Sequence, residues 1–262
     1  MNLSITNQVK ADCFALIFQH MKVFTEHINL MIEQDRIYIQ SMDTSHVSIV
    51  EVILPKEWFD EYELKSQESI TLGISSSLLF RVLNARDKTQ NITLDYDTSE
   101  ADKLNIHFTG DNKQEFDKHF ELSLIDIDSE IMEIPTIEYQ AELTLGSQNF
   151  ANIINQLKMF GDNLDFKCSE KEIMLCSSSL EQGKMYVEIE IDDLSSFAID
   201  ENETIQSSFS LTFMHNICLY NKLSKEIEIK ISNAYPLKMI YKLPMNDDAQ
   251  MIFYLAPKIN DD

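Results

Sequence analysis

Residues 28–41, INLMIEQDRIYIQS, recur 136 positions later as LDFKCSEKEIMLCS at 164–177. The shift needs no gap: Ile28 falls on Leu164, Leu30 on Phe166, Ile32 on Cys168, Ile37 on Ile173, Ile39 on Leu175 and Ser41 on Ser177. Each copy alternates apolar and polar residues around a short charged turn, which predicts two antiparallel strands with one buried face. The same shift holds upstream, where Phe14 falls on Phe150, Ala15 on Ala151, Ile17 on Ile153, Met21 on Leu157 and Lys22 on Lys158. There the apolar residues recur at spacings of three and four, which predicts an amphipathic helix. A chain that reads twice must build one supersecondary unit twice, and 262 residues give room for two ordinary domains.

The remainder of each copy follows the same plan. A second helix is expected at 75–88, with Ser75 to Ser77 as N-cap candidates, and another at 210–225. Strands are expected at Val47–Leu54, Glu68–Ile74, Asn91–Tyr96 and Leu104–Thr109 in the first copy. In the second they are expected at Lys184–Ile191, Glu203–Ser210, Ile227–Ser232, Leu237–Lys242 and Met251–Leu255. The fold class is therefore α+β: two similar domains, each with two helices and antiparallel sheets. The boundaries expected are 1–119 for the first domain, 120–136 for a connector and 137–262 for the second. The connector core, Asp126-Ile-Asp-Ser-Glu-Ile-Met-Glu-Ile-Pro135, is acidic and ends in Pro, which favours an extended exposed path. Its apolar residues Ile127, Ile131, Met132 and Ile134 have two uses open to them: packing down onto the domains, or staying open for a partner.

Charge is unevenly placed. The chain carries 21 Lys and Arg against 44 Asp and Glu, a formal net charge of −23. Spread evenly, that charge would repel nucleic acid and anionic membranes. The four helical windows 8–24, 75–88, 147–160 and 209–225 break the pattern. They hold Lys10, Lys22, Arg81, Arg86, Lys88, Lys158, Lys222 and Lys225 against only Asp12 and Asp87. Lys222 and Lys225 also suit a helix C-terminus. Four cationic helices on an anionic body, placed side by side, would form a face for DNA phosphates that needs no sequence reading.

Signatures of chemistry are scarce. The polar knot Ser41-Met-Asp-Thr-Ser-His46 holds Asp43 and His46, but catalytic triads are assembled by geometry from distant residues. Between two strands such a cluster reads as turn chemistry. The six His lack HExxH spacing, no GxxxxGK[ST] or GxGxxG occurs, and five Gly leave little for a phosphate loop. Cys13, Cys168, Cys176 and Cys218 form no CxxC pair and are expected as buried thiols, in keeping with a reducing compartment. No signal peptide and no apolar run long enough to span a bilayer is visible, and the expectation is a soluble intracellular chain. No enzyme, metal or cofactor is expected.

SMDTSHVSIV at 41–50, the connector ending Ile134-Pro135, and Phe253-Tyr-Leu-Ala-Pro-Lys-Ile259 closely resemble the proliferating cell nuclear antigen family of eukaryotic-type DNA sliding clamps. The resemblance covers the whole chain. It implies a clamp fold in which three two-domain subunits close into a ring around duplex DNA, with helices lining the hole and sheets outside. It implies a polymerase processivity factor and docking platform for replication and repair, loaded by a clamp loader and located in the nucleus. Polymerase, ligase and nucleases would dock through PIP-box peptides. Carried onto this sequence, the docking residues are Met42, His46 and Val47 of the knot, Asp128, Met132, Ile134 and Pro135 of the connector, and Pro236, Tyr254, Leu255, Ala256 and Pro257. The DNA-facing residues are Lys22, Arg81 and Lys158, joined from the charge pattern by Lys10, Arg86 and Lys222. Edge strands near Leu104–Thr109 and Lys184–Ile191 would pair between subunits. Other family DNA-facing positions read Ala15, Asn155, Met159 and Leu219, and the family's ubiquitin and SUMO acceptor Lys aligns with Glu170. The alternative is a clamp-like paralogue, of checkpoint or viral type, with weak DNA contact and mainly a protein-binding role.

Overall fold

The computed structural model describes residues 1–110, 115–128 and 130–258. Its backbone contacts divide into two compact units. The first holds Met1–Thr44, Val50–Met132 and Lys242–Met251; the second holds Ser45–Ile49, Glu133–Tyr241 and the segment from Ile252 onward. The division is not a single cut, because short stretches of each half of the chain belong to the other unit.

In the first unit, Asn2–Ile5 (β1) leads into the helix Gln8–Gln19 (α1). Asn7 caps it, its side-chain oxygen accepting from the Val9 and Lys10 amides at 3.0 and 3.2 Å. A short 3₁₀ turn, Met21–Val23, ends that helical run. The strands His27–Ile32 (β2), Arg36–Met42 (β3), Ser48–Pro55 (β4), Glu61–Glu63 (β5) and Ile70–Ser75 (β6) follow. The helix Ser76–Leu83 (α2) is capped by Ser75, one of the expected N-caps, which accepts from the Leu78 amide at 3.4 Å. Asn91–Asp95 (β7), Lys103–Thr109 (β8) and Lys118–Ser123 (β9) complete the unit's strands. One sheet runs β5-β1-β7-β8-β9 and the other β4-β3-β2-β6.

The second unit repeats the plan. Ala141–Gly146 (β10) precedes the helix Ser147–Leu157 (α3), then come Asn163–Ser169 (β11), Ile173–Ser179 (β12), Gly183–Ile189 (β13), Ser196–Ile199 (β14) and Thr204–Ser210 (β15). The helix Leu211–Cys218 (α4) is followed by Glu226–Ile231 (β16), Leu237–Lys242 (β17) and Gln250–Leu255 (β18). The strand orders are β14-β10-β16-β17-β18 and β13-β12-β11-β15. Strand by strand these are the orders of the first unit. The 136-residue shift lays β2 on β11 and β3 on β12, so the sequence repeat is a repeat of topology.

Each unit has its own aromatic core. Phe14 and Phe18 meet edge to face at 5.2 Å between ring centroids, and Phe14 lies 6.4 Å from fully buried Trp58, whose indole N–H donates to the Pro244 carbonyl at 3.0 Å. In the second unit Phe253 sits 5.3 Å from Tyr220 and 6.2 Å from Tyr241. All four cysteines are free and buried.

Two expectations change. The helices are shorter than their windows. α2 stops at Leu83, with Asn84 as its C-cap, and the Arg86 side chain beyond it binds Gln8 and Asp12 of α1. Leu104–Thr109 is not an edge: β8 lies between β7 and β9, and β9 is the terminal strand. The expected edge at Lys184–Ile191 does appear, as β13 at the end of its sheet.

Candidate functional site

The expected cations separate by burial. Lys22, Arg81, Lys158 and Lys222 are exposed. Each sits near the C-terminal end of its helix: Lys22 in the turn after α1, Arg81 in the last turn of α2, Lys158 at the C-cap of α3 and Lys222 just past α4. A cation there is favoured by the helix dipole and still reaches solvent. α1 packs beside α2, and α3 beside α4. His215 of α4 and Asn155 of α3 meet at 2.7 Å. Burial and the nearby Lys158 charge hold the His215 pKa below its ordinary value.

Lys10 and Arg86 are corrected by their surroundings. The Lys10 side chain is 11% exposed, with its Nζ 4.0 Å from Asp60 and 6.0 Å from the centre of the Trp58 ring. The Arg86 side chain is 4% exposed and pairs with Asp12. Its guanidinium also donates to Gln8 Oε1 at 2.8 Å and to the Gln90 carbonyl at 2.7 Å. Burial draws its pKa down while Asp12 opposes that shift. These two cations hold α1 in place and offer no charge to a ligand. One signal for Lys10 was available: it stands at helical spacing from Phe14 and Ile17, on the buried stripe of α1.

The knot between β3 and β4 is a turn. Asp43 is buried, Thr44 and Ser45 are exposed, and His46 adopts φ 57°. A left-handed backbone at a residue other than glycine is uncommon and marks a tight, specified turn. His46 is exposed, and Met42 and Val47 are half-buried. Within the second unit, the Ala256 amide donates to the Val47 carbonyl at 2.9 Å, joining knot and C-terminal segment. Lys238 lies 5.5 Å from the centre of the Tyr254 ring. Ala256 and Pro257 are half-buried and Pro236 is exposed. Leu255 is fully buried, so its side chain belongs to the core. Ile259 of the motif lies outside the described residues.

From Leu124 to Gln140 the described residues form no helix or strand. The first part of this connector is fastened to the first unit. Its Leu124 and Ile125 amides donate to the carbonyls of Asp102 and Gly73 at 2.8 and 2.9 Å. Asn29 Nδ2 donates to the Ile127 carbonyl at 3.2 Å. Gln40 grips Met132 twice: its Oε1 accepts from the Met132 amide at 2.8 Å, and its Nε2 donates to the Met132 carbonyl at 3.0 Å. The same Nε2 donates to the Tyr38 hydroxyl at 3.0 Å, and that hydroxyl bonds the buried Glu51 carboxylate. Gly73 is needed for close approach, since a Cβ there would lie 2.1 Å from the Ile125 carbonyl oxygen. An open hollow of about 420 Å³ remains, lined by Asn29, Gln40, Asp126, Asp128, Glu130 and Ile131 among others. The two uses left open for the apolar residues divide here. Ile127 packs against Gly73, while Ile131 is 54% exposed and Met132 and Ile134 are half-buried. Asp128 and Pro135 are exposed.

The chain matches known proteins over this same two-unit span. Residues 6–131 match the N-terminal domain of proliferating cell nuclear antigen, and residues 133–259 match its C-terminal domain. The chain belongs to the proliferating cell nuclear antigen family. It is 28% identical over 258 residues to proliferating cell nuclear antigen of Chaetomium thermophilum, covering 97% of both chains. Identity is 27% over 223 residues to proliferating cell nuclear antigen 2 of Drosophila melanogaster, covering 85% of each. It is 25% over 263 residues to proliferating cell nuclear antigen 2 of Plasmodium falciparum, covering 97% of this chain and 98% of that one. Membership makes this a DNA sliding clamp of a non-catalytic family. No helix among the described residues is long and apolar enough to cross a membrane.

Proposed function

We propose that three copies of this chain close into a ring that encircles duplex DNA, slides along it and tethers a polymerase. The observation that carries the reading is the placement of charge: exposed Lys22, Arg81, Lys158 and Lys222 at the ends of four repeated helices, in a chain of net charge −23. Diffuse attraction to phosphates suits sliding, because bonds to fixed phosphates would halt it. Retention then rests on topology, and affinity stays weak and sensitive to salt. Among the terminal strands of the sheets, β9 and β13 are assigned to pairing between subunits, which would remove those edges from solvent.

The docking groove is assigned to Met42, His46, Val47, Asp128, Met132, Ile134, Pro135, Pro236, Tyr254, Ala256 and Pro257, over the core residue Leu255. Such a groove, largely apolar with a polar margin, suits the aromatic and aliphatic plug of a PIP-box peptide. Polymerase, ligase, nucleases and a clamp loader are the partner classes, and the nucleus is the compartment proposed. The domain limits 1–119 and 137–262, with the connector at 120–136, belong to this reading. Glu170 stands in the family's acceptor position and its carboxylate accepts from the Asn202 amide at 3.1 Å, so modification there has no lysine to use.

A second reading has its own observation. With Lys10 and Arg86 buried and Ala15, Asn155, Met159 and Leu219 uncharged, the cationic lining is thin, as a paralogue that binds proteins more than DNA would have it. Light scattering after size exclusion separates the two. A homotrimer has three times the subunit mass of 30.4 kDa, about 91 kDa. A monomer that assembles only with two different chains would refute the first reading.

A further inference from the structure

β8 and β9 place His107 directly opposite His119. Their Nδ1 atoms stand 2.7 Å apart, with ring centroids at 4.9 Å and planes at 63°. The two imidazoles share one proton, one Nδ1 donating and the other accepting. Both rings lie on the face opposite Phe108 and Leu122, which are buried. The next pair along the ladder on this face is Asn105 and Glu121, and Glu121 is held by Lys103 at 3.1 Å. On the other side of β8, Thr93 of β7 lies opposite His107.

From this geometry we propose that His107 and His119 form a binding site for a borderline divalent cation of the zinc class. Two neutral imidazoles present convergent lone pairs, the donor type this class of cation prefers. Zinc–nitrogen bonds of about 2.0–2.1 Å at a near-tetrahedral angle set the nitrogens about 3.3 Å apart. The rings therefore part by about 0.6 Å from their present contact, a small side-chain rotation. Binding requires a change of tautomer in the donor ring, its proton moving from Nδ1 to Nε2 by exchange with solvent, so that both neutral imidazoles coordinate through Nδ1. No group of three or more His, Cys, Asp or Glu able to hold a metal occurs among the described residues. Water fills the remaining positions, which makes the site open and exchangeable. A bound cation would staple β9, the terminal strand, to β8. The proposal stands on the histidine pair alone and does not depend on ring assembly.

The test is calorimetric titration of ZnCl₂ into the untagged full chain, beside His107→Gln, His119→Gln and the control His215→Gln. The expected result is one saturable zinc per chain in the unaltered protein and in the control, with at least tenfold weaker binding in each of the other two variants. Nitrogen-detected NMR of the unaltered chain reads the same site without relying on a variant's folding. There zinc shifts the imidazole signals of His107 and His119 together and before those of other histidines. Absence of saturable binding, undiminished binding in both variants, or first shifts at another histidine would overturn the proposal.

Discussion

Replacing Gln40 by Ala tests the link between connector order and partner binding. The substitution removes the two hydrogen bonds to Met132, at 2.8 and 3.0 Å, and the one to Tyr38. A typical intramolecular hydrogen bond contributes about 0.5–1.5 kcal/mol, so the two Met132 bonds together hold the connector by about 1–3 kcal/mol. The unit's fold depends little on them, since β3 keeps its ladder and its buried Ile37 and Ile39. If docking needs Met132 and Ile134 in place, the cost of reordering them appears in peptide affinity. At 1.4 kcal/mol per tenfold change, the Kd rises by about 5- to 150-fold. Fluorescence anisotropy of a labelled PIP-box peptide measures that change, and hydrogen exchange at the Met132 amide reports the loosened connector. A folded Gln40→Ala chain with unchanged Met132 protection and unchanged affinity would refute the reasoning.

Other perturbations follow from the same contacts. Gly73→Ala drives a Cβ into the Ile125 carbonyl oxygen and costs about 1–3 kcal/mol, read as a lower urea midpoint. Lys22→Glu combined with Arg81→Glu weakens polymerase stimulation, most at low salt where the lost attraction is least screened, while the melting temperature stays near that of the unaltered chain. Arg86→Ala does the opposite: it removes a buried guanidinium with several partners and lowers stability by about 1.5–3 kcal/mol in a denaturant titration. Burial raises the thiol pKa of Cys13 from 9.0 to about 12 and that of Cys168 to about 11. The unfolded thiols ionise first, so this stability is fully present below pH 9 and declines as pH rises toward 11–12. Cys13→Ala flattens that decline in urea midpoints measured across the range.

How much of this was legible in the chain depends on the kind of signal. The repeat, the four helices and most strands show in local periodicity, because one buried face dictates the spacing of apolar residues. β9 was missed as a separate edge because Lys118–Ser123 alternates over only two apolar residues, Phe120 and Leu122. The inward turn of Lys10 was readable from its place on the α1 stripe. That of Arg86 was not, because its partners Gln8 and Asp12 lie more than 70 residues away. Docking residues were carried by resemblance, whereas Asn29, Gln40 and Gly73, which fasten the connector, make contacts with segments distant in sequence. Gly73 alone left a trace: an isolated glycine within a strand pattern often marks a close backbone approach.

Encirclement of DNA is the central claim, and retention on circular against linear DNA tests it most directly. Clamps loaded on a nicked circular plasmid are passed through a sizing column before and after a single restriction cut. The account predicts that the protein stays with the closed circle at moderate salt and is lost once the DNA has ends. Equal retention on circular and linear DNA, or none on either, would contradict it.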